Sequence, residues 1–330
     1  MPDSIIIVYN IHTEKKGDAG MNDIAYYKLT ALASAPEALD KAAEYLASRM
    51  SQFLKKRDKV LILFPDTPAT VGALLQDAVL RCGAIPQFME GDNRWLTILK
   101  TAFITRSDCI IGPPLTILGL AKVAKHMGTP LFARNILVAG YPIKPWMVDG
   151  IEHGLDCRVW ECYDPGSSAM IAGFTCDRCC LHMRDEGYRV RILDEEGNEV
   201  PPGVMGRVIL SPDYDPDLQF DTGDLARYDE TPCKCGCKTA RLMDIDTNNG
   251  IDPTLSRLEE SFHYWGSILD CKLTNTGHGL ELEVVVFPGE RLPRFPSCAK
   301  LIVRAWNPES DEPFPHAYIL KRRLFSRENH

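Results

Sequence analysis

Apolar positions three and four residues apart mark the first clear element of the chain. Leu39, Ala42, Ala43, Leu46, Met50 and Phe53 line one face of residues 37–55, with Lys, Glu and Arg elsewhere, which predicts an amphipathic helix. Before it, residues 5–9 form a short β-branched apolar run, predicted as a buried strand, and the polar residues 10–22 read as a loop. From Lys59 onward continuous apolar runs alternate with helical periodicity. Strands are predicted at 60–64, 85–89, 109–111, 136–139 and 158–161. Helices are predicted at 69–81, 95–103, 115–126 and 145–153, with Gly83, Gly128 and Gly154 at helix ends. Such alternation implies crossover units and a mostly parallel sheet with helices on both faces. Ligands of such sheets bind where loops leave the carboxyl ends of the strands. Ala139-Gly140-Tyr141-Pro142 and Glu161 to Gly166 are two such loops.

The pattern changes after Tyr163. Residues 188–193, 195–198 and 206–210 read as strand, turn and strand, predicting an antiparallel β-rich appendage. Asn248-Asn249-Gly250 breaks the chain, and Asp252-Pro253 starts a helix continued by Leu255, Leu258, Ser261 and Phe262. A hairpin is expected from 268–274 and 280–287, then a short helix near 298–306 and a strand at 317–320. The expected fold class is therefore α/β. Residues 1–245 would form a large domain whose β-rich part covers about 164–245, and 246–330 a small α+β domain.

Cysteine usage adds chemistry to this outline. The twelve cysteines are bunched, which points to a reducing compartment, and a cytoplasmic protein is expected. Cys176, Cys179, Cys180 and His182 form one knot of soft ligands, and Cys233, Cys235 and Cys237 another. Two such knots, far apart in sequence, suit a structural metal that staples two loops together. Zinc is favoured by the nearby histidine and the Cys-x-Cys-Gly turn, with an iron–sulfur cluster as the competitor. Buried reduced thiols are the bland alternative. A net charge of −8 with no basic run argues against nucleic acid as a partner, and no apolar run is long enough to span a bilayer.

The order of these pieces resembles the adenylate-forming superfamily of acyl-CoA synthetases, specifically its phenylacetate–CoA ligase-like branch. The resemblance is most specific from Gly203-Val204-Met205-Gly206 through Phe220-Asp221-Thr222-Gly223-Asp224 to Cys233-Lys234-Cys235-Gly236. The family there reads as a P-x-G-x-x-G-E-L strand, then Y-R-T-G-D, then C-x-C-G. The resemblance implies a large adenylating domain, a mobile C-terminal domain and chemistry between them. It also implies a zinc site at Cys176, His182, Cys233 and Cys235. Asp224, with Thr222, would hold the ribose hydroxyls of ATP. Glu161-Cys162-Tyr163 matches the start of the family's D-x-Y-G-x-x-E motif, with Tyr163 placed to stack on adenine. Gly140 and Tyr141 fall on the loop that edges the base. Arg241 and Lys321 match the family's catalytic arginine and lysine, the lysine neutralising charge at the α-phosphate.

Several matches are degraded. Ser167 or Ser168 stands where the magnesium-binding glutamate is expected, and Asp164 replaces a glycine. The phosphate loop would fall at residues 12–20, where Glu14 and Asp18 repel a triphosphate and Lys15 and Lys16 offset them in part. The family's lead-in of ~100 residues, a substantial part of a domain, has no counterpart. Two readings therefore stand. One is an AMP-forming ligase of weak activity, joining a small carboxylic acid to CoA with ATP and Mg2+. The other is a catalytically silent zinc-containing homologue that binds a nucleotide, an acyl group or a protein partner.

Overall fold

A computed structural model describes residues 36–64, 71–89, 94–165, 170–213, 217, 219–247, 261–275, 280–290 and 299–311. The expected strand at 5–9, the loop at 12–20, Ser167, Ser168, the strand at 317–320 and Lys321 lie outside them, as does most of the helix after Pro253.

Strands β1 (Lys59–Ile62), β2 (Ile85–Phe88), β3 (Cys109–Gly112), β4 (Asn135–Val138) and β5 (Arg158–Tyr163) alternate with helices. These are α1 (Pro36–Met50), ahead of β1, then α2 (Val71–Arg81), α3 (Trp95–Thr105), α4 (Pro114–Met127) and α5 (Pro145–Leu155). The strands pair in parallel in the order β2-β1-β3-β4-β5. Their apolar runs are continuous because alternate residues serve two cores. Val60, Ile62, Cys109, Ile111, Leu137 and Trp160 pack under α1 and α2. Leu61, Ile110, Ile136, Val138 and Val159 pack under α3, α4 and α5.

The β-rich part is no separate appendage. β5 pairs antiparallel with β6 (Gly173–Thr175), and the sheet continues through β7 (Leu181–Met183), β11 (Arg241–Thr247), β10 (Phe220–Asp229), β9 (Gly206–Pro212) and β8 (Tyr188–Leu193). One eleven-stranded mixed sheet results. Its antiparallel half shares a core with α1, since Phe53 stacks on Trp160 and Phe174 with ring centroids 4.6 and 6.5 Å apart.

A second sheet holds β12 (Ile268–Asn275), β13 (Leu280–Val286) and β14 (Ala299–Ala305). The helix expected near 298–306 is instead β14, an edge strand parallel to β13. Ala-Lys-Leu-Ile-Val-Arg-Ala alternates Leu301 and Val303 on one face with Ile302 and Arg304 on the other, and β-branched residues favour the pleated ladder that β13 offers. Arg304 then pairs with Glu283 on β13 at 2.9 Å.

This sheet docks on the helices of the first. Leu269, Val285, Phe287 and Trp306 join the core of α3–α5, and His126 of α4 stacks on Phe287 at 4.3 Å. The Lys122 ammonium donates to the carbonyls of His263 and Ile268 at 2.7 Å each. No helix among the described residues is long and apolar enough to cross a membrane.

Candidate metal centre and nucleotide cleft

Four of the seven clustered ligands converge. The ligand atoms of Cys176, His182, Cys233 and Cys235 all lie within 4.8 Å of one another. Cys176 Sγ is 3.9 Å from Cys233 Sγ, and Cys235 Sγ is 3.3 Å from His182 Nε2. Local backbone shapes each knot. The Arg178 N–H donates to Cys176 Sγ and the Cys237 N–H to Cys235 Sγ, each at 3.3 Å, and such bonds favour thiolate. Gly236 takes a positive φ of 86° that closes the second knuckle. The antiparallel register pairs Arg241 with His182, bringing the β10–β11 loop opposite β7. The His182 Nδ1–H donates to the Thr239 carbonyl at 3.1 Å, which turns the Nε2 lone pair toward the thiols.

The thiols differ in acidity. The Cys235 N–H pulls the Cys233 thiol down to about 6, whereas burial pushes Cys235 up to about 12. The other three candidates have different surroundings, although Cys180 also borders Cys233. Cys179 is exposed, Cys180 faces the Arg241 guanidinium at 3.8 Å, and Cys237 faces Thr239 Oγ1 at 3.3 Å. Three sulfurs and one imidazole are a tetrahedral donor set that zinc accepts.

The residues expected at a nucleotide site lie at the carboxyl ends of β4 and β5 and on the neighbouring β10. Tyr163, at the end of β5, donates its hydroxyl to Asp224 Oδ2 at 2.6 Å. Both side chains are buried, at 1% and 3% exposure. Burial first, and then the Asp224 charge, holds the Tyr163 phenol well above its usual range. Asp224 belongs to a Thr-Gly-Asp turn built into β10 as a bulge, where the pairing with β9 shifts register between Asp221 and Leu225. Gly223 supplies the positive φ of 77° that the bulge needs. Thr222 Oγ1 donates to the Val208 carbonyl at 3.0 Å and accepts the Asp224 N–H at 3.1 Å, locking the turn. Asp221 adds an ion pair to Arg207 at 2.7 Å.

The Gly140 loop closes the same edge. Gly140 has a φ of 96° and passes close to the Phe64 ring, and the Tyr141 hydroxyl accepts the Leu115 N–H at 2.8 Å. Glu161 accepts the Ile143 N–H at 3.2 Å, and burial pushes its carboxyl up to about 7. Arg241 is held away from this edge, at the metal end of β11. It pairs there with Asp229 and donates to Thr231 Oγ1 at 2.5 Å.

The Glu161 shift has a measurable consequence. Its folded value lies above the unfolded 4.5, so the stability it contributes is complete below pH 4.5 and is lost as pH rises through about 7. That loss amounts to about 3 kcal/mol. Urea unfolding from pH 4.5 to 8 is expected to show a declining stability that Glu161→Gln flattens. A slope unchanged in Glu161→Gln would assign it to other groups.

The fold, a mixed sheet wrapped by helices with a buried aspartate in a turn at its carboxyl edge and a second small sheet, is similar to that of solved acyl- and aryl-CoA ligases. Among solved structures of this fold is 2-hydroxyisobutyryl-CoA ligase in the postadenylation state in complex with 2-HIB-AMP. It has a TM-score of 0.66 and 14% identity over 88% of this chain and 73% of that one. The anthranilate CoA ligase AuaEII in complex with anthranoyl-AMP gives 0.56 and 12%, covering 87% of this chain and 63% of that one. A benzoate CoA ligase from Burkholderia xenovorans LB400 gives 0.54 and 12%, over 80% and 62%. The chain spans only 60% of the 2-hydroxyisobutyryl-CoA ligase in its open conformation. No family model matches the sequence, and no curated protein does.

Proposed function

We propose that this chain is an AMP-forming acyl- or aryl-CoA ligase-like protein of the phenylacetate–CoA ligase type, with a structural zinc at Cys176, His182, Cys233 and Cys235. The observation that carries this reading is the buried Asp224 carboxylate, seated by the Thr222 lock at the carboxyl edge of an adenylate-forming fold. A carboxylate in that place accepts hydrogen bonds from both ribose hydroxyls. Gly140 and Tyr141 would border the base, and Lys321 would meet the developing charge, whereas Arg241, expected beside it, is committed to Asp229. Bound Mg2+ would neutralise phosphate charge, and CoA would take up the acyl group. Residues 1–245 would act as the adenylating body and 246–330 as the smaller domain, in a cytoplasmic protein that engages neither nucleic acid nor membrane.

One observation favours the silent reading. The Tyr163 ring is 1% exposed and its hydroxyl is committed to Asp224, so in this conformation it offers no face for stacking on a base. A homologue that binds a nucleotide, an acyl group or a protein partner without turnover is consistent with that.

Thermal unfolding with millimolar ATP and Mg2+ tests nucleotide binding. A rise in melting temperature is expected, and Asp224→Asn should remove it while the fold persists, because the amide still accepts the Tyr163 hydroxyl. An absent shift in the parent protein sinks the ligase reading. Pyrophosphate release across aryl and short acyl acids then separates a working ligase from a silent binder.

A further inference from the structure

Arg184, just after β7, is only 4% exposed. Its guanidinium lies over the Tyr45 ring, 4.9 Å from the centroid, and 5.8 Å from the centroid of Tyr188. Its Nε and Nη1 are sealed from solvent without a hydrogen-bond partner among the described residues. No carboxylate among them forms an ion pair with it either; Glu186, exposed two residues on, acts only through space. Two buried guanidinium N–H positions without an acceptor are costly, and ring contacts offset only part of that. A second positive charge deepens the anomaly. Arg49, from the last turn of α1, lies over the same Tyr45 ring at 5.1 Å. Two cations on one ring repel each other, and an anion within reach of both would offset that repulsion.

The location matters as well. The Arg184 N–H donates to the Ala172 carbonyl at 2.8 Å, and the Ala172 N–H donates to the Tyr163 carbonyl at 2.9 Å. Arg184 is thus two backbone hydrogen bonds from the Tyr163–Asp224 pair, with its guanidinium against α1.

We propose that Arg184 and Arg49, framed by Tyr45 and Tyr188, form an oxyanion-binding site that receives a carboxylate or phosphate group. The ligand class follows from the donors: orphaned N–H groups require acceptor oxygens, and uncompensated positive charge requires an anion. The site needs no adenylation chemistry and stands without it.

The full-length protein in low-ionic-strength buffer is titrated with sodium phosphate, sodium acetate or sodium benzoate, with sodium chloride at matched ionic strength as control, and melting temperature is followed. A saturable rise of a few degrees is expected from an oxyanion and not from chloride. Arg184→Met should melt higher than the parent without anion and lose the saturable rise, whereas Arg184→Lys retains part of it. A response to phosphate alone assigns a phosphate group, and a response to carboxylates alone an organic acid. No saturable rise in the parent, or the same rise in Arg184→Met, overturns the site. Should Arg184→Met fail to fold, Arg49→Met decides: phosphate or carboxylate binding weaker by about tenfold is expected, and unchanged affinity overturns it. ATP binding that survives Arg184→Met while oxyanion binding disappears separates this site from the one at Asp224.

Discussion

Removing the metal is expected to unfold the antiparallel half of the large sheet. The group formed by Cys176, His182, Cys233 and Cys235 ties the β6–β7 loop to the β10–β11 loop across the short β7–β11 pairing, which rests on only two residue pairs, Arg241–His182 and Leu242–Leu181. With so short a pairing, an ion bound by the four ligands would supply further restraint. Structural zinc contributes about 10–16 kcal/mol in small zinc domains at neutral pH, as much as a whole domain's net stability. Cys176→Ser and Cys233→Ser are each expected to lose the ion and the cooperative unfolding of this half. Cys179→Ser, Cys180→Ser and Cys237→Ser should keep both. Elemental analysis with circular dichroism before and after chelation reads the result. Stoichiometric zinc retained in both Cys176→Ser and Cys233→Ser would remove the assignment, and a brown protein carrying iron would replace zinc with a cluster. Because thiolates bind the ion and protons compete for them, metal loss should set in as pH falls.

Gly119→Ala is expected to destabilise the parallel half by about 3 kcal/mol, at the upper end for overpacking a core. A Cβ on Gly119 in α4 would lie 2.3 Å from Trp95 Nε1 and 2.5 Å from Cε2. The indole cannot yield, since Trp95 is 1% exposed and its Nε1–H donates to the Thr116 carbonyl at 3.2 Å. Helix α3 must therefore move off α4, opening the core that also seats the second sheet. Gly150→Ala is the control: its Cβ meets only Leu118 Cδ1, at 2.9 Å, and a methyl at the end of a flexible side chain can rotate away. Urea titration of both variants checks this, and equal stability of Gly119→Ala and the parent would show that α3 is not clamped there.

Much of this architecture was legible in residue order. Runs such as Val60-Leu61-Ile62 and Cys109-Ile110-Ile111 declared strands buried on both faces, and the helical spacing around Leu46 declared α1. The C-terminal segment misled because Leu301 and Ala305 also fit a helical spacing. The ladder offered by β13, a partner invisible to local pattern, decided for a strand. Thr222 to Asp224 form a bulge within β10, a feature that only the pairing with β9 reveals through its register shift. Arg184 gave no signal at all. An arginine followed by Asp185 and Glu186 looks like surface, and its burial comes from Tyr45, far away in α1.

Chain order alone determined the elements of the parallel half, the alternation that makes it parallel, and the two knots of sulfur and imidazole, because these depend on neighbours within a few residues. Local spacing left seven candidate ligands, and the tertiary structure brought together the four that the resemblance implied; it alone merged the β-rich part into one sheet and tied Tyr163 to Asp224. Those outcomes depend on register and packing between segments some 60 residues apart, such as the 61 that separate Tyr163 from Asp224, and no local pattern encodes such distances.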